Sequence, residues 1–127
     1  TRRILYLSEC WVGKTHDYGM FQTEFPPEEN WFADFRVRVD LGFLGIEKDY
    51  KCKELLIPHK KPKKQELTQE QKAENKLLAS ERIVVEHSIA GLKRYRILSD
   101  RLRMHDLGLY NVTLGVCAGL WNFRLSC

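Results

Sequence analysis

A mixed α/β domain is the fold class that the sequence predicts, and three observations predict it. The chain has 127 residues, about one domain. Short strand-like runs fill its first half and helical spacing fills its second. Hydrophobic residues are 43% and aromatic residues 11%, enough for a core and too many for a disordered chain. Charged residues are 30%, and no apolar run nears the roughly 20 residues that span a bilayer, so a membrane protein is excluded.

In chain order, residues 3–8 (Arg-Ile-Leu-Tyr-Leu-Ser) are rich in β-formers and read as a strand, ended by Gly13. The run 4–7 is too short for a signal peptide, and an opening on Thr1 rather than Met reads as a start inside a domain. Thr15 or Asp17 caps a short helix over Tyr18–Phe21. Pro26-Pro27 break it, and Pro27-Glu28-Glu29 start a helical turn. Residues 35–40 alternate apolar and charged and read as a strand ending at Asp40, followed by a glycine-bearing turn over 41–45. Residues 54–57 form a further short strand closed by Pro58, and 59–65 a basic loop. Thr68 and Gln71 make a capping box that opens a long helix running to about Leu98. Leu78, Val85, Ile89 and Leu92 give it one buried face, with Gly91 a weak point inside it. A last helix covers 106–124, with Leu107, Leu114, Cys117, Ala118 and Trp121 as its apolar side.

The four cysteines, Cys10, Cys52, Cys117 and Cys127, have neither Cys-x-x-Cys nor finger spacing, and read as reduced thiols. Charge is segregated. Residues 17–35 hold Asp17, Glu24, Glu28, Glu29 and Asp34 and no Lys or Arg, a net of −5. Residues 51–64 hold six lysines against Glu54, a net of +5, and residues 93–103 hold five bases against Asp100, a net of +4. Two such blocks suit a polyanion, or else they are solvated surface.

Three features bear on chemistry. Asp40 ends a strand before a glycine turn, where α/β sheets open to ligands, though turn aspartates are common. Arg82, Glu86 and Lys93 stand four and seven residues apart, a charged stripe on the side opposite Val85, Ile89 and Leu92; the plain alternative is a surface Arg82–Glu86 pair. The two basic blocks flank that helix. Carboxylates beside phosphate-binding cations suit metal-dependent phosphodiester chemistry, for which Mg²⁺ takes hard oxygen donors.

Arg82-x3-Glu86-x6-Lys93 resembles the R-E-K part of the Y-R-E-K signature of insertion-sequence transposases of the DDE superfamily. Asp40-Leu41-Gly42-Phe43 resembles that family's D-x-G-Y/F element, and Gly13-Lys14-Thr15-His16-Asp17 its G-x-x-H-D element. The flank Leu92-Lys93-Arg94-Tyr95-Arg96-Ile97-Leu98 is also similar, and the likeness covers nearly the whole chain. Ala79 stands where the signature has Tyr, and no residue here matches the family's first catalytic Asp.

The resemblance implies the C-terminal part of a DDE catalytic domain over 1–127: a partial RNase H-like fold lacking its first strands, with long C-terminal helices. It implies Asp40 and Glu86 as catalytic metal ligands, two Mg²⁺ (or Mn²⁺) ions in the intact domain, and Arg82 and Lys93 on phosphate or terminal bases. It implies DNA as partner, both transposon ends and target, and DNA transposition by hydrolysis at the ends followed by strand transfer. It also implies a homodimer in the intact protein and a bacterial cytoplasmic setting, nucleoid-associated when bound to DNA. From charge alone, Lys60, Lys61, Lys63 and Lys64 are expected on the DNA backbone. His16 is expected to be structural rather than a metal ligand, and Trp11, Trp31 and Trp121 to be core rather than base-stacking. Two alternatives stand beside the enzyme: a non-catalytic DNA-binding or inhibitory remnant, and a truncated product with no activity.

Overall fold

Helices carry most of the backbone pairing, and the sheet is one pair of three-residue strands. The computed structural model describes residues 1–11, 13–100 and 105–127. They divide into two compact units, Trp11–Glu81 and Thr1–Cys10 with Arg82–Cys127. Among the described residues no helix is long and apolar enough to cross a membrane.

The Trp11–Glu81 unit is built on aromatic packing. Helix α1 (Asp17–Glu24) is capped by His16, whose Nδ1 accepts from the Tyr18 N–H at 3.3 Å. The cap is thus His16 rather than Thr15 or Asp17, which gives His16 the structural role expected of it. The helix stops at Phe25, before Pro26-Pro27, and Glu29 N–H donates to Pro26 O at 3.2 Å in a single turn. Strand β1 (Arg36–Arg38) pairs in parallel with β2 (Glu54–Leu56), with Val37 opposite Leu55. A parallel pair needs a long crossover. Here it contains a 3-10 turn (Leu41–Phe43) and the short helix α2 (Ile46–Asp49), joined through Gly45 at φ +99°, a left-handed value that suits glycine. Phe21 sits at the centre, with ring centroids 5.4 Å from Phe32, 5.6 Å from Phe43 and 5.2 Å from Tyr50. Ile46 and Tyr50 are buried beneath it.

Helix α3 (Gln69–Lys93) opens on the expected capping box: Gln71 N–H donates to Thr68 Oγ1 at 3.2 Å and Thr68 N–H to Gln71 Oε1 at 3.1 Å. It ends at Lys93 rather than near Leu98. Tyr95 is extended (φ −75°, ψ 100°), and Arg96–Ser99 form a separate turn, α4. Helix α5 (Leu107–Leu125) is capped by Asp106, which accepts from the Gly108 and Leu109 N–H groups at 2.9 and 3.3 Å. Arg101 and Arg103 of the second basic block lie outside the described residues.

Two expectations fail in the second unit. Residues 3–8 form no strand. Side chains of α3 and α5 take the backbone bonds that a neighbouring strand would take. Asn122 accepts from the Ile4 N–H at 2.8 Å and donates to Ile4 O at 2.7 Å. Trp121 Nε1 and Ser88 Oγ both donate to Arg2 O, at 2.9 and 2.7 Å. Nor are Val85 and Ile89 buried: they are 52% and 48% exposed and line an open groove with Ile4 and Leu7. The buried positions of α3 are Ser88 and Gly91. A Cβ on Gly91 would stand 2.3 Å from the Trp121 ring, so this glycine is the seat of that ring. Trp121, Cys117 and Ala118 are buried on α5, as its spacing indicates, whereas Leu107, expected on the same side, is 49% exposed. All four cysteines are free thiols, and burial pushes Cys10, Cys52 and Cys117 above the usual thiol range.

Candidate functional site

The Asp40-Leu41-Gly42-Phe43 element is a small machine for holding a carboxylate. β1 delivers Asp40 to the carboxyl end of the strand pair, where Val39 N–H still donates to Leu56 O at 3.1 Å. Asp40 then caps the 3-10 turn: its Oδ1 accepts from the Gly42 N–H at 2.8 Å. A Cβ on residue 42 would lie 3.0 Å from that same oxygen, tighter than side chains normally pack. Glycine therefore lets the carboxylate close over the turn. Phe43 anchors the far end, edge-on to Tyr18 at 5.8 Å and to Phe21 at 5.6 Å. Asp40 is half-buried. It is a turn-capping residue, its carboxylate held by that cap.

Behind the turn, Tyr18 and Gln22 of α1 both donate to Asp49 Oδ2 of α2, Gln22 at 3.1 Å. Burial, and then Asp49, push the Tyr18 phenol far above its ordinary range, so it stays protonated as a donor at any working pH. The acidic segment 17–35 thus supplies the rings on which Phe43 of this turn packs. At the same end of β1 as Asp40, Arg38 pairs with Glu81 of α3 at 2.5 Å, and at the other end Arg36 pairs with Glu54 at 2.5 Å.

Glu86 lies mid-helix in α3 and is exposed, as is Lys93 in the last turn, where a cation also complements the helix dipole. Arg82 is half-buried. At 100° per residue the three lie on one flank of α3, roughly 70° round from Val85, Ile89 and Leu92 rather than opposite them. Asp40 belongs to the Trp11–Glu81 unit; Arg82, Glu86 and Lys93 belong to the other. Among the described residues no three of His, Cys, Asp and Glu gather closely enough to hold a metal ion. The donor type fits Mg²⁺ or Mn²⁺, since both assigned acids offer hard oxygen.

The lysine loop is only partly free. Lys60, Lys61, Lys63 and Lys64 are all exposed, but Lys61 pairs with Glu66, which also meets Lys72 at 3.9 Å. The loop is pinned where it leaves β2. Asn75 of α3 accepts from the His59 N–H at 2.7 Å and donates to His59 O at 3.0 Å, and His59 Nε2 meets Glu74. This clamp borders a groove of about 580 Å³ lined by Leu55, Ile57, Leu77 and Leu78 among others. Asn75 carries no signal in the sequence, because it acts only through a tertiary contact; Phe43 is read there as part of the D-x-G-Y/F element, but its ring contacts to Tyr18 and Phe21 form only on folding. Trp11 and Trp31 are 36% and 38% exposed rather than core; Trp31 Nε1 donates to Pro26 O at 2.9 Å.

The family described as DDE superfamily endonuclease matches residues 1–122. The chain belongs to that family. It is 36% identical over 115 residues to a protein of Microchaete diplosiphon described as "Probable transposase for insertion sequence element IS702", across 90% of this chain. This DDE chain spans 39% of the length of that relative. No solved structure matches it.

Proposed function

We propose that residues 1–127 form the C-terminal portion of the RNase H-like catalytic domain of a DNA transposase, with Asp40 and Glu86 as two of its metal-binding carboxylates. The observation that carries this reading is the held Asp40 carboxylate, at the end of a parallel strand, in a chain of the DDE family. In this reading Asp40 and Glu86 offer oxygen donors to Mg²⁺ or Mn²⁺. A bound pair of such ions stabilises the attacking and leaving oxygens of a phosphodiester. Arg82 and Lys93 hold a phosphate or a terminal base beside the scissile bond. Lys60, Lys63 and Lys64 contact the DNA backbone, and Lys61 joins them when Glu66 releases it. These contacts position the DNA without reading its sequence.

Asparagine caps a helical turn about as well as aspartate does, so Asp40→Asn keeps the turn and removes the charge. Titration of the chain with Mn²⁺ by calorimetry is expected to show weak binding. Asp40→Asn and Glu86→Gln should each weaken it severalfold at unchanged circular dichroism. Three identical isotherms would remove both residues from the site. A second reading, a DNA-binding chain that does not cut, is favoured by the two acids, rather than three, that match the family's motifs.

A further inference from the structure

The loop between β2 and α3 is fixed at both ends. At its start Asn75 clamps both backbone groups of His59, at 2.7 and 3.0 Å. At its end the Thr68–Gln71 box sets the first turn of α3. Between these points lie Lys60, Lys61, Lys63 and Lys64, and no acid stands from Leu55 to Gln65. Glu66 is the first carboxylate after that run, and it is divided between two cations. Its Oε1 accepts from Lys61 Nζ of the loop, and its Oε2 faces Lys72 Nζ of α3 at 3.9 Å, an ion pair rather than a hydrogen bond. All three side chains are exposed.

We propose that Lys61 and Lys72 form a binding site for one backbone phosphate of DNA, and that Glu66 is its resident anion, displaced when DNA binds. A phosphodiester presents what this carboxylate presents, two oxygens sharing one negative charge. Two ammonium groups facing the two oxygens of one anion suit either. Lysine binds phosphate as a compact point charge, without the fork geometry that ties Arg to one orientation. Displacement costs little, because exposed lysine–carboxylate pairs are weak and screened by salt. The local charge favours the exchange. Residues 59–72 hold five lysines, Lys60, Lys61, Lys63, Lys64 and Lys72, against Glu66 and Glu70, a net of +3 with His59 neutral. Glu66 therefore leaves cations in excess, and a polyanion following the loop meets them. Lys72 belongs to neither basic block of the sequence; the path of the loop into α3 brings it to the same carboxylate as Lys61. The site rests on the reading that the chain binds DNA, and it adds to that reading a phosphate contact on α3 and an internal competitor for it.

Fluorescence anisotropy with labelled duplex DNA at one fixed salt concentration tests the site. Wild type is compared with Glu66→Gln, Lys72→Ala, the double variant, and Glu70→Gln as a control. Glu66→Gln should tighten binding by about two- to fivefold, the strength of an exposed ion pair. Glu70→Gln changes the net charge equally and should tighten it less. Lys72→Ala should weaken binding by about five- to tenfold in the Glu66→Gln background, where one phosphate contact is lost. In the wild-type background the loss should be smaller, because Glu66 still holds Lys61 there. All the substituted side chains are exposed, so circular dichroism should be unchanged. Equal tightening by Glu66→Gln and Glu70→Gln would overturn the site and leave DNA binding standing. The same loss from Lys72→Ala in both backgrounds would do so too. Absence of duplex binding by both wild type and Glu66→Gln would overturn the site together with the DNA reading.

Discussion

At Gly91 a hydrogen stands where any other residue would place a carbon 2.3 Å from Trp121 Cζ3. Helix propensity alone favours Gly91→Ala by about 1 kcal/mol. Overpacking costs typically 1–3 kcal/mol or more. The displaced ring would also lose its 2.9 Å bond to Arg2 O, worth about 1 kcal/mol net. The steric and hydrogen-bond losses win. Gly91→Ala is expected to lower stability by a net of about 1–3 kcal/mol, read as a lower urea midpoint, and an unchanged midpoint would show that Trp121 has room to move. The thiols give a second expectation at this scale. A raised thiol pKa leaves less thiolate at a given pH, so Cys10, Cys52 and Cys117 should alkylate slowly at pH 8 and faster as pH rises. Exposed Cys127 should label first. Peptide mass spectrometry after a timed pulse of iodoacetamide reads the order, and labelling of Cys117 ahead of Cys127 would contradict the burial.

The lysine loop is the element on which DNA contact is best tested. Each phosphate contact contributes about 0.9 to the slope of log affinity against log salt. Lys60, Lys63 and Lys64 are exposed, and Lys61 is held by Glu66. Replacing all four with Ala should therefore flatten the slope by about three to four contacts, the fourth being Lys61 once Glu66 releases it. Lys61→Ala alone should change it least. Fluorescence anisotropy with duplex DNA over a salt series reads both, and superimposable curves for wild type and the fourfold variant would make the loop plain solvated surface. Elements with local signals were legible in the sequence. The last helix, expected over 106–124, is found at Leu107–Leu125, and the Thr68–Gln71 box opens α3 as read. Strand 3–8 was misread because β-forming residues make a strand only beside a partner, and here Asn122, Trp121 and Ser88 take that backbone. The buried face of α3 was misread because Ser88 and Gly91, small rather than apolar, make its closest contacts. Asp40 was legible from its turn, but the reason the turn holds lies in Gly42 and in the rings around Phe43, which meet it only after folding.

At the scale of the whole molecule, charge and donor count separate binding DNA from cutting it. The chain carries 21 Lys and Arg against 17 Asp and Glu, and residues 17–35 hold five of the acids and no Lys or Arg. Cations are thus left for the lysine loop and the end of α3, the segments proposed to meet phosphate. Binding requires only those cations. Cutting by a two-metal route requires carboxylates that hold two ions about 3.5–4 Å apart. Asp40 and Glu86 are the two acids matched to the family's motifs, and no residue of the sequence matches its first catalytic Asp. The 127-residue chain is therefore expected to bind duplex DNA in a salt-dependent way and to produce no detectable nicking or strand transfer with Mg²⁺ or Mn²⁺. The assay is a labelled duplex incubated with the chain over a range of both ions and resolved on a denaturing gel. Robust cleavage that Asp40→Ala abolishes would mean that another of the chain's own acids completes the site. Absence of cleavage together with Mn²⁺ binding lost in Asp40→Asn would support a catalytic domain whose remaining donor comes from elsewhere. Absence of both cleavage and Mn²⁺ binding would favour the chain that binds DNA without cutting it.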